Sequence, residues 1–168
     1  DQVVDEFGHV DLILANNVFA HVNDINTLTS AIDKALTLNG VFVFEVHYLG
    51  KIIDEMQYDM IYHEHIYYYS LLAVENHFSR YGMIVFDIKK IANHGGSVRF
   101  HVCRENTKFA FRSNRVENLR RDELAKGFNK ISLFQEFGNK INQQRSDLLN
   151  LLRMIKSEGK SIAGYGAS

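Results

Sequence analysis

A strand–helix–strand pattern near the start of the chain constrains its fold more than any other feature. The apolar run at residues 11–15 is typical of a buried strand, and the β-rich run at residues 41–46 predicts a second strand. Between them, Asn23 or Asp24 is suited to cap a helix, and Asn39-Gly40 is expected to break the chain. Two strands joined by a helix within about 36 residues form a βαβ unit. The pattern therefore predicts a parallel sheet with a right-handed crossover.

The middle of the chain predicts a helix followed by an antiparallel hairpin. Residues 71–81 carry apolar side chains on one broad face, and Gly82 is expected to end that helix. Apolar and polar residues then alternate in residues 83–91 and again in residues 97–103. Because the glycine-containing loop at residues 92–96 joins these two strands, they predict a hairpin at an edge of the sheet.

A long helical pattern follows the hairpin. Apolar residues recur at spacings of three, four and seven from residue 114 to residue 157, with charged residues between them. Gly127 and Gly138 are the candidate interruptions of this pattern. Residues 160–166 then predict a new strand that enters a glycine turn. The apolar faces of these helices are therefore expected to pack against the rest of the protein. The start of a further α/β domain is expected after them.

The change of pattern predicts a domain boundary near residues 105–115. We assign residues 1–108 to the carboxyl part of one α/β domain and residues 109–168 to the start of another. The chain opens inside a helix-like segment and stops in a glycine turn. These two ends predict that the chain is a fragment of a longer protein.

Charge and composition exclude several classes of partner. The formal net charge is −1, so no electrostatic footprint for nucleic acid or an anionic membrane is evident. No apolar run approaches the roughly 20 residues that a membrane helix needs. The single cysteine, Cys103, cannot form an internal disulfide, which fits a reducing compartment. We therefore expect a cytoplasmic protein with neither nucleic acid nor membrane as a partner.

The segment at residues 58–70 carries the strongest chemical signal. It places two histidines, two acidic residues and five tyrosines within thirteen residues. Histidine is the usual general base near neutral pH, and tyrosine hydroxyls can donate to a developing oxyanion. The segment therefore predicts an active site that moves protons.

Two other interpretations of this segment stay open. His63, Glu64 and His65 are all good metal ligands, but histidines at i and i+2 diverge on a helix, and no third ligand is evident beside them on a strand. A purely structural aromatic cluster is the second alternative. We expect no metal site in this chain.

Four stretches resemble one enzyme family. The chain is similar to the S-adenosylmethionine-dependent C-methyltransferases that act on nucleotide-diphosphate keto-sugars. The second stretch looks like the catalytic signature of that family and is the most specific of the four. The stretches are residues 15–22, residues 58–65 with Tyr68 and Ser70, residues 94–99, and residues 162–168.

The resemblance implies a fold and an activity. The expected fold is α/β: part of a class I methyltransferase (Rossmann-like) sheet with an antiparallel edge hairpin, followed by helices that open a second, nucleotide-sugar-binding α/β domain. The expected reaction is methyl transfer from S-adenosylmethionine to a carbon of a nucleotide-diphosphate keto-sugar through an enolate. The alternatives are a C-methyltransferase for another small carbonyl acceptor and a non-catalytic fragment without a donor site.

Two features of the family are missing from this chain. One is the glycine-rich loop that is the main binding site of S-adenosylmethionine, and the other is an N-terminal cysteine cluster that binds zinc. The resemblance therefore implies that the main donor contacts, and any zinc, belong to a part of the family's sequence that this chain does not contain. The sugar, its nucleotide, the methylated carbon and the oligomeric state stay open.

The resemblance also assigns catalytic roles. It implies that His65 is the base that takes the sugar proton, while Tyr62 and Glu64 shape the site and position hydroxyl groups or the base. His21 is expected to face the donor and the keto-sugar, because it lies just beyond the carboxyl end of the first predicted strand.

The remaining assignments concern binding. The resemblance implies that the methyl donor contacts the residues after the first strand, and that the sugar nucleotide contacts the hairpin and the final glycine turn. His94 lies in the predicted hairpin turn, and a substrate contact and an ordinary surface position are equally expected for it. His47 ends the second predicted strand, which is weak support for a role at the site. The donor residues are Asn16, Asn17 and Val18, and the substrate residues are Tyr68, Ser97, Arg99, Gly164, Tyr165 and Gly166.

Overall fold

The computed structural model describes residues 2–166. The last two residues of the predicted glycine-turn stretch, Ala167 and Ser168, lie outside the described residues. The chain divides into two compact units, Asp1–Asn129 and Lys130–Ser168. In chain order the described elements are α1 (Gln2–Phe7), β1 (Val10–Asn16), α2 (Ile25–Ala35), β2 (Leu36–His47), α3 (Leu49–Asp54), α4 (Leu71–Ser79), β3 (Met83–Ile91), β4 (Ser97–Arg104), α5 (Asn114–Lys126) and α6 (Ile131–Ser157).

The predicted strand–helix–strand unit is confirmed in the first compact unit. Strands β1 and β2 pair in parallel, with Ile13 opposite Phe42. Helix α2 lies between them in sequence, and Asp24 caps it: the Asp24 carboxylate accepts hydrogen bonds from the backbone N–H groups of Asn26 and Thr27, both at 3.0 Å. A capping carboxylate satisfies donors that have no partner within the helix. The chain therefore leaves β1, crosses through α2 and returns beside β1.

The predicted break at Asn39-Gly40 is wrong, because strand β2 begins at Leu36 and runs through these residues to His47. Register accounts for the difference: Leu36 pairs with Val10, whereas Val41 pairs with Leu12. The extra residues of β2 are absorbed as an irregularity within the pairing. At Gly40 an added Cβ would lie only 2.8 Å from Cδ2 of Leu36, so glycine allows this close approach.

The predicted hairpin is also confirmed, and it lies at one side of the described sheet. The strand order is β1-β2-β4-β3, and β4 pairs antiparallel with both β2 and β3. In the connecting turn Gly95 and Gly96 have φ values of +76° and +120°, where a side chain would be strained. The turn therefore needs the two glycines that the sequence supplies.

Aromatic side chains fill the core of the first unit. They come from the sheet, from the turn after β1 and from α4, and the rings of Phe19 and Phe44 lie 4.7 Å apart between centroids. Ile32 of α2 and Val116 of α5 are buried with them. The fully buried phenylalanines are Phe19, Phe42, Phe44, Phe78 and Phe100.

Strand β1 differs from the prediction in its exposure. The apolar run at residues 11–15 predicts a buried strand, but Leu12 and Leu14 are 52% and 61% exposed. The reason is that β1 is an edge strand of the described sheet, with a neighbour on one side only. Alternate residues, such as Ile13, pack against the core instead.

The helical half of the chain matches the sequence in part. Helix α4 ends at Ser79, two residues before the predicted end at Tyr81. Gly127 ends helix α5 with a φ of +85°, as expected of a glycine C-cap. Helix α6, however, passes through Gly138 without interruption.

The compact units divide farther along the chain than the predicted domain boundary. The sequence predicts the boundary near residues 105–115, whereas the first compact unit extends to Asn129 because α5 buries Val116 and Leu119 in its core. The assignment of residues 1–108 and 109–168 to two domains stays a prediction.

The second unit consists of α6 and the segment that follows it. Helix α6 is 27 residues long and contains no buried residue. The strand predicted at residues 160–166 is wrong, since these residues pair with no described strand and are exposed. A run of β-rich sequence becomes a strand only where a neighbour completes its hydrogen bonds. Within residues 2–166, no helix combines the length and the apolar character needed to cross a membrane.

Candidate active site

The carboxyl ends of β1 and β2 lie at the same edge of the sheet, because the two strands are parallel. The backbone N–H of Asn17, just after β1, donates to the carbonyl of Glu45 in β2 at 2.9 Å. The segment at residues 58–70 covers this edge, and a cavity of about 310 Å³ lies beneath it. The cavity is lined by Asn17, Ala20, His21, Val46, His47, Met60, Tyr62, Glu64, His65, Tyr67, Tyr68 and His94.

Backbone contacts to the turn after β1 hold the segment in place. The N–H groups of Ile66 and Tyr67 lie 3.0 and 3.4 Å from the carbonyl oxygen of Ala20. The buried Tyr69 donates its hydroxyl hydrogen to the carbonyl of Phe19 at 3.2 Å, and burial raises the pKa of this phenol. Residues separated by about 45 positions in the sequence are thereby fixed side by side.

His65 presents one ring nitrogen with a lone pair in this cavity. Its Nδ1 lies 3.2 Å from the carbonyl oxygen of Met60, and a carbonyl can only accept, so Nδ1 carries the hydrogen. In the neutral ring Nε2 is therefore an acceptor, and the Tyr62 hydroxyl lies 3.4 Å from it. His65 is half-buried. A backbone carbonyl thus sets the tautomer that a general base needs.

His21 is oriented in the same way from the other side. Its Nδ1 lies 2.7 Å from the backbone carbonyl oxygen of Glu64, so Nδ1 again carries the hydrogen. The rings of His21 and His65 are 5.0 Å apart between centroids. Two imidazoles that are 44 residues apart in the sequence therefore lie next to each other with matching tautomers.

Tyrosine hydroxyls complete the same wall of the cavity. The Tyr68 hydroxyl lies 3.2 Å from the carbonyl oxygen of Met60 and donates to it, and it accepts from the backbone N–H of Tyr62 at 3.2 Å. The Glu64 side chain lines the cavity and is exposed, while its backbone carbonyl holds His21. All four residues predicted to be catalytic, and Tyr68, are therefore brought together.

The residues predicted to contact the methyl donor lie at the rim of the site. Asn17 lines the cavity and adopts a φ of +54°, which asparagine tolerates better than most residues. Asn16 is the last residue of β1, and Val18 is 50% exposed. Their exposed amide and apolar groups are suited to contact a ligand at this edge of the sheet.

Two predicted substrate residues lie outside the cavity lining. Arg99 donates twice to one carboxylate oxygen of Glu45, at 3.1 Å and 2.8 Å, and the two residues pair across β2 and β4. Ser97 is buried and donates to the backbone carbonyl of Asn93 at 3.3 Å, which closes the hairpin turn. Both side chains therefore have structural partners, and their contact with substrate stays a prediction.

Gly164, Tyr165 and Gly166 belong to the second unit. Tyr165 is fully exposed, and the three residues lie in no helix or strand. Their role in binding the sugar nucleotide stays a prediction.

Two histidines that line the cavity, His47 and His94, had little support from the sequence alone. His47 is the last residue of β2, and burial lowers its pKa. The charges of His65 and His94 lower this pKa further, whereas the hydrogen bond that His47 donates to Gln57 opposes the shift. His94 comes from the hairpin turn with a φ of +53°. The one sequence signal for His47 was its position at a strand end, and only the fold brings four imidazoles to one cavity.

Metal ligation by His63, Glu64 and His65 is one alternative interpretation of the segment at residues 58–70. Among residues 2–166, no group of three or more histidine, cysteine or acidic side chains is arranged to hold a metal ion. His63 is exposed and does not line the cavity, so His63 and His65 do not act as a pair there.

Comparison with known proteins covers both the cavity and the helical half. Residues 92–168 match the family described as C-methyltransferase C-terminal domain. The chain is similar to C-methyltransferase NovU of Streptomyces niveus, with 29% identity over 167 residues. That alignment covers 99% of this chain and 40% of NovU, so the chain spans less than half the length of this curated relative.

Proposed function

We propose that the histidine-lined cavity takes part in methylating a carbon of a nucleotide-diphosphate keto-sugar, because residues 92–168 match a C-methyltransferase family and the chain is 29% identical to a C-methyltransferase. The proposal rests on the tautomer of His65 and on its position in the cavity. Its Nδ1–H is held by the Met60 carbonyl, and its Nε2 lone pair lies beside the Tyr62 hydroxyl in the cavity. A base and a hydrogen-bond donor side by side are what enolate formation requires.

The proposed proton transfer uses His65 and Tyr62. Nε2 of His65 takes the proton from the carbon next to the ketone, and the electron pair of the broken C–H bond moves to the ketone oxygen. The resulting imidazolium keeps its Nδ1–H bond to Met60, which stabilises the charge. The Tyr62 hydroxyl donates to the enolate oxygen, and the enolate carbon then forms the new C–C bond.

S-adenosylmethionine, when bound, supplies an electrophilic methyl group and leaves as a neutral thioether. Asn16, Asn17 and Val18 fit a contact with part of this donor, since they are accessible at the carboxyl end of a parallel strand. His21 lies beside His65, with ring centroids 5.0 Å apart, and its ring is fixed by the Glu64 carbonyl. In this role His21 separates donor and acceptor sites and excludes water between them.

The sheet is consistent with part of a class I methyltransferase fold. Such a sheet ends in an antiparallel strand pair at one edge, and β3 and β4 form an antiparallel pair beside the parallel pair β1–β2. The glycine turn at Gly164–Gly166 is assigned to the diphosphate of the sugar nucleotide, because glycines let the backbone approach phosphate closely.

The test compares His65→Gln with His63→Gln in the whole protein that carries this chain. His63 is exposed, lies two residues away and does not line the cavity, so it is a matched control. For His65→Gln we expect methyl transfer and deuterium exchange at the sugar carbon to fall together by about 100-fold or more, because a general base is lost. Wild-type rates of both reactions in His65→Gln would remove the basis for the assignment.

Calorimetry on the 168-residue chain addresses the alternative of a non-catalytic fragment. Measurable binding of S-adenosylmethionine would show that a donor site survives in this chain. No binding would favour the fragment interpretation. A panel of small ketones without a nucleotide, tested for exchange in the whole protein, distinguishes a sugar nucleotide from another carbonyl acceptor.

A further inference from the structure

The side chain of Gln57 joins three parts of the first unit. Its Oε1 lies 3.2 Å from Nε2 of His47, at the end of β2. Its Nε2 donates to the carbonyl of Gly95 in the hairpin turn at 3.0 Å and to a carboxylate oxygen of Glu55 at 2.8 Å. Because both partners of Nε2 are acceptors, the orientation of the amide is fixed and Oε1 must be the acceptor for His47.

The backbone of Gln57 connects this amide to the proposed base. Its carbonyl accepts from the N–H of Met60 at 3.1 Å, which forms the 3₁₀ turn Tyr58–Met60. The carbonyl of Met60 then accepts from Nδ1–H of His65 and from the Tyr68 hydroxyl, both at 3.2 Å. A displacement of Gln57 would therefore move the group that sets the tautomer and direction of His65.

Backbone strain is concentrated around the same contacts. Among residues 2–166, three non-glycine residues have positive φ: Asn17, Met56 and His94. Met56 directly precedes Gln57, His94 directly precedes Gly95, and both Asn17 and His94 line the cavity. Such conformations are costly and persist where the surrounding contacts over-determine them, often at functional sites. Strained residues beside both Gln57 and Gly95 indicate that the surrounding structure holds this hydrogen bond in place.

The hairpin glycine makes room for the amide. A Cβ added to Gly95 would lie 3.0 Å from both polar atoms of the Gln57 amide, and the φ of Gly95 is +76°. On the other side, His47 is half-buried, and its Nδ1 is buried with no hydrogen-bond partner in the described part of the chain. Within residues 2–166, the His47 ring therefore has its hydrogen bond to Gln57 alone.

We propose that Gln57 is a positioning residue whose amide clamps the end of β2 and the hairpin turn to the Tyr58–Met60 turn and so preorganises His65. This inference rests on the proposed function for the role of His65, but the contacts themselves do not depend on it. The clamp acts through Met60, and no contact of Gln57 with the substrate is needed. Removing it leaves every proposed catalytic side chain present but allows the base to move.

The activity test uses Gln57→Glu in the whole protein. The carboxylate keeps an acceptor for His47 but turns a second oxygen toward the Gly95 carbonyl and Glu55, where repulsion replaces two hydrogen bonds. We expect kcat and deuterium exchange at the sugar carbon to fall by about tenfold or more, since small misplacements of a catalytic group are costly. The Kd for S-adenosylmethionine should not change. The control is Gln144→Glu, the same chemical change at an exposed position of α6.

A spectroscopic test is independent of activity. In the 168-residue chain, ¹⁵N NMR should report His65 as the Nδ1–H tautomer and His47 as the Nε2–H tautomer. Gln57→Leu and Gln57→Glu should shift the ring nitrogen signals of both histidines, whereas Gln144→Glu should leave them in place. His65 signals that stay unchanged in both Gln57 variants would overturn the proposal.

If circular dichroism shows that the Gln57 variants do not fold, a second pair of variants tests the same contact. His47→Phe keeps a ring but removes the donor to Gln57, and His47→Gln restores a donor. We expect His65 signals to move in His47→Phe and to return toward wild type in His47→Gln, and the absence of any shift in His47→Phe would count against the clamp. If the wild-type protein neither exchanges nor methylates, the proposed function fails, while the NMR result still decides the clamp.

Discussion

At the scale of single residues, the histidines of the cavity are distinguished by their partners. His21 and His65 donate from Nδ1 to backbone carbonyls, whereas His47 donates from Nε2 to a side-chain amide. The tautomer is therefore fixed by which nitrogen has an acceptor. The sequence predicted that His21 and His65 belong to the active site but could not predict the partner of each ring, and its support for His47 was weak.

Tyr62→Phe tests the hydroxyl beside His65. Tyr62 is 41% exposed, and its hydroxyl makes one long contact, at 3.4 Å, so the fold should tolerate its loss. Removing a donor to a developing oxyanion typically lowers kcat by about 100-fold, and we expect an effect of that order on methyl transfer. Tyr58→Phe is the control, because Tyr58 is in the same segment but does not line the cavity. Equal rates in Tyr62→Phe and Tyr58→Phe would contradict the role.

At the scale of secondary-structure elements, a buried carboxylate joins helices α5 and α4. Glu123 of α5 is fully buried and accepts from the backbone N–H groups of Leu71 and Leu72 at 2.7 and 2.9 Å, and from the Tyr48 hydroxyl at 2.9 Å. The first N–H groups of a helix have no partner within it, so Glu123 satisfies two such donors of α4. Because α4 follows the segment at residues 58–70, this contact holds the carboxyl end of the cavity segment.

Glu123→Ala tests that connection. The change leaves three donors unpaired, two of them buried, and we expect the free energy of unfolding to fall by about 3 kcal/mol or more. Urea denaturation followed by circular dichroism measures it. Asp122→Ala is the control on the same helix, where the side chain is exposed and an effect within about 0.5 kcal/mol is expected. A similar small loss in Glu123→Ala would mean that other contacts anchor α4.

At the scale of the whole molecule, buried histidines connect stability to pH. Burial lowers the pKa values of His47, His77 and His101. A histidine whose pKa is lower in the folded state binds fewer protons there, so its stabilising contribution is present above its unfolded pKa of about 6.5 and is lost as the pH falls. Burial raises the pKa of Glu123, and this acts in the opposite direction.

His77→Gln tests this dependence. The His77 ring lies 2.8 Å from the Thr29 hydroxyl through Nε2 and accepts from Arg80 at 2.7 Å through Nδ1. Glutamine can supply both a donor and an acceptor at this position but has no proton to gain. We expect urea unfolding of the wild type to show a larger loss of stability from pH 7 to pH 5 than His77→Gln shows. The same pH dependence in both proteins would exclude His77 as a contributor, and exposed His63→Gln should behave like the wild type.

Helices and strands could be predicted from the sequence where they depend on residues that are close together in the chain. Hydrophobic periodicity and capping residues identified β1, α2, the hairpin strands and α4, because those preferences act between residues that are close in the sequence. The predictions failed at Asn39-Gly40 and at residues 160–166. In both places pairing with another strand decides the outcome, through a register shift in the first and through the lack of a described partner in the second.

The sequence by itself determined the parallel strand–helix–strand unit, and it predicted that a segment rich in histidine and tyrosine would form an active site. Tertiary structure alone decided that the segment lies over this edge, that Arg99 pairs with Glu45, and that the Gln57 amide lies against the hairpin turn. The physical reason is the separation along the sequence over which each interaction acts. Helix and strand preferences act over a few residues, whereas each hydrogen bond that orients His21 or secures Gln57 to the hairpin joins groups about 40 residues apart.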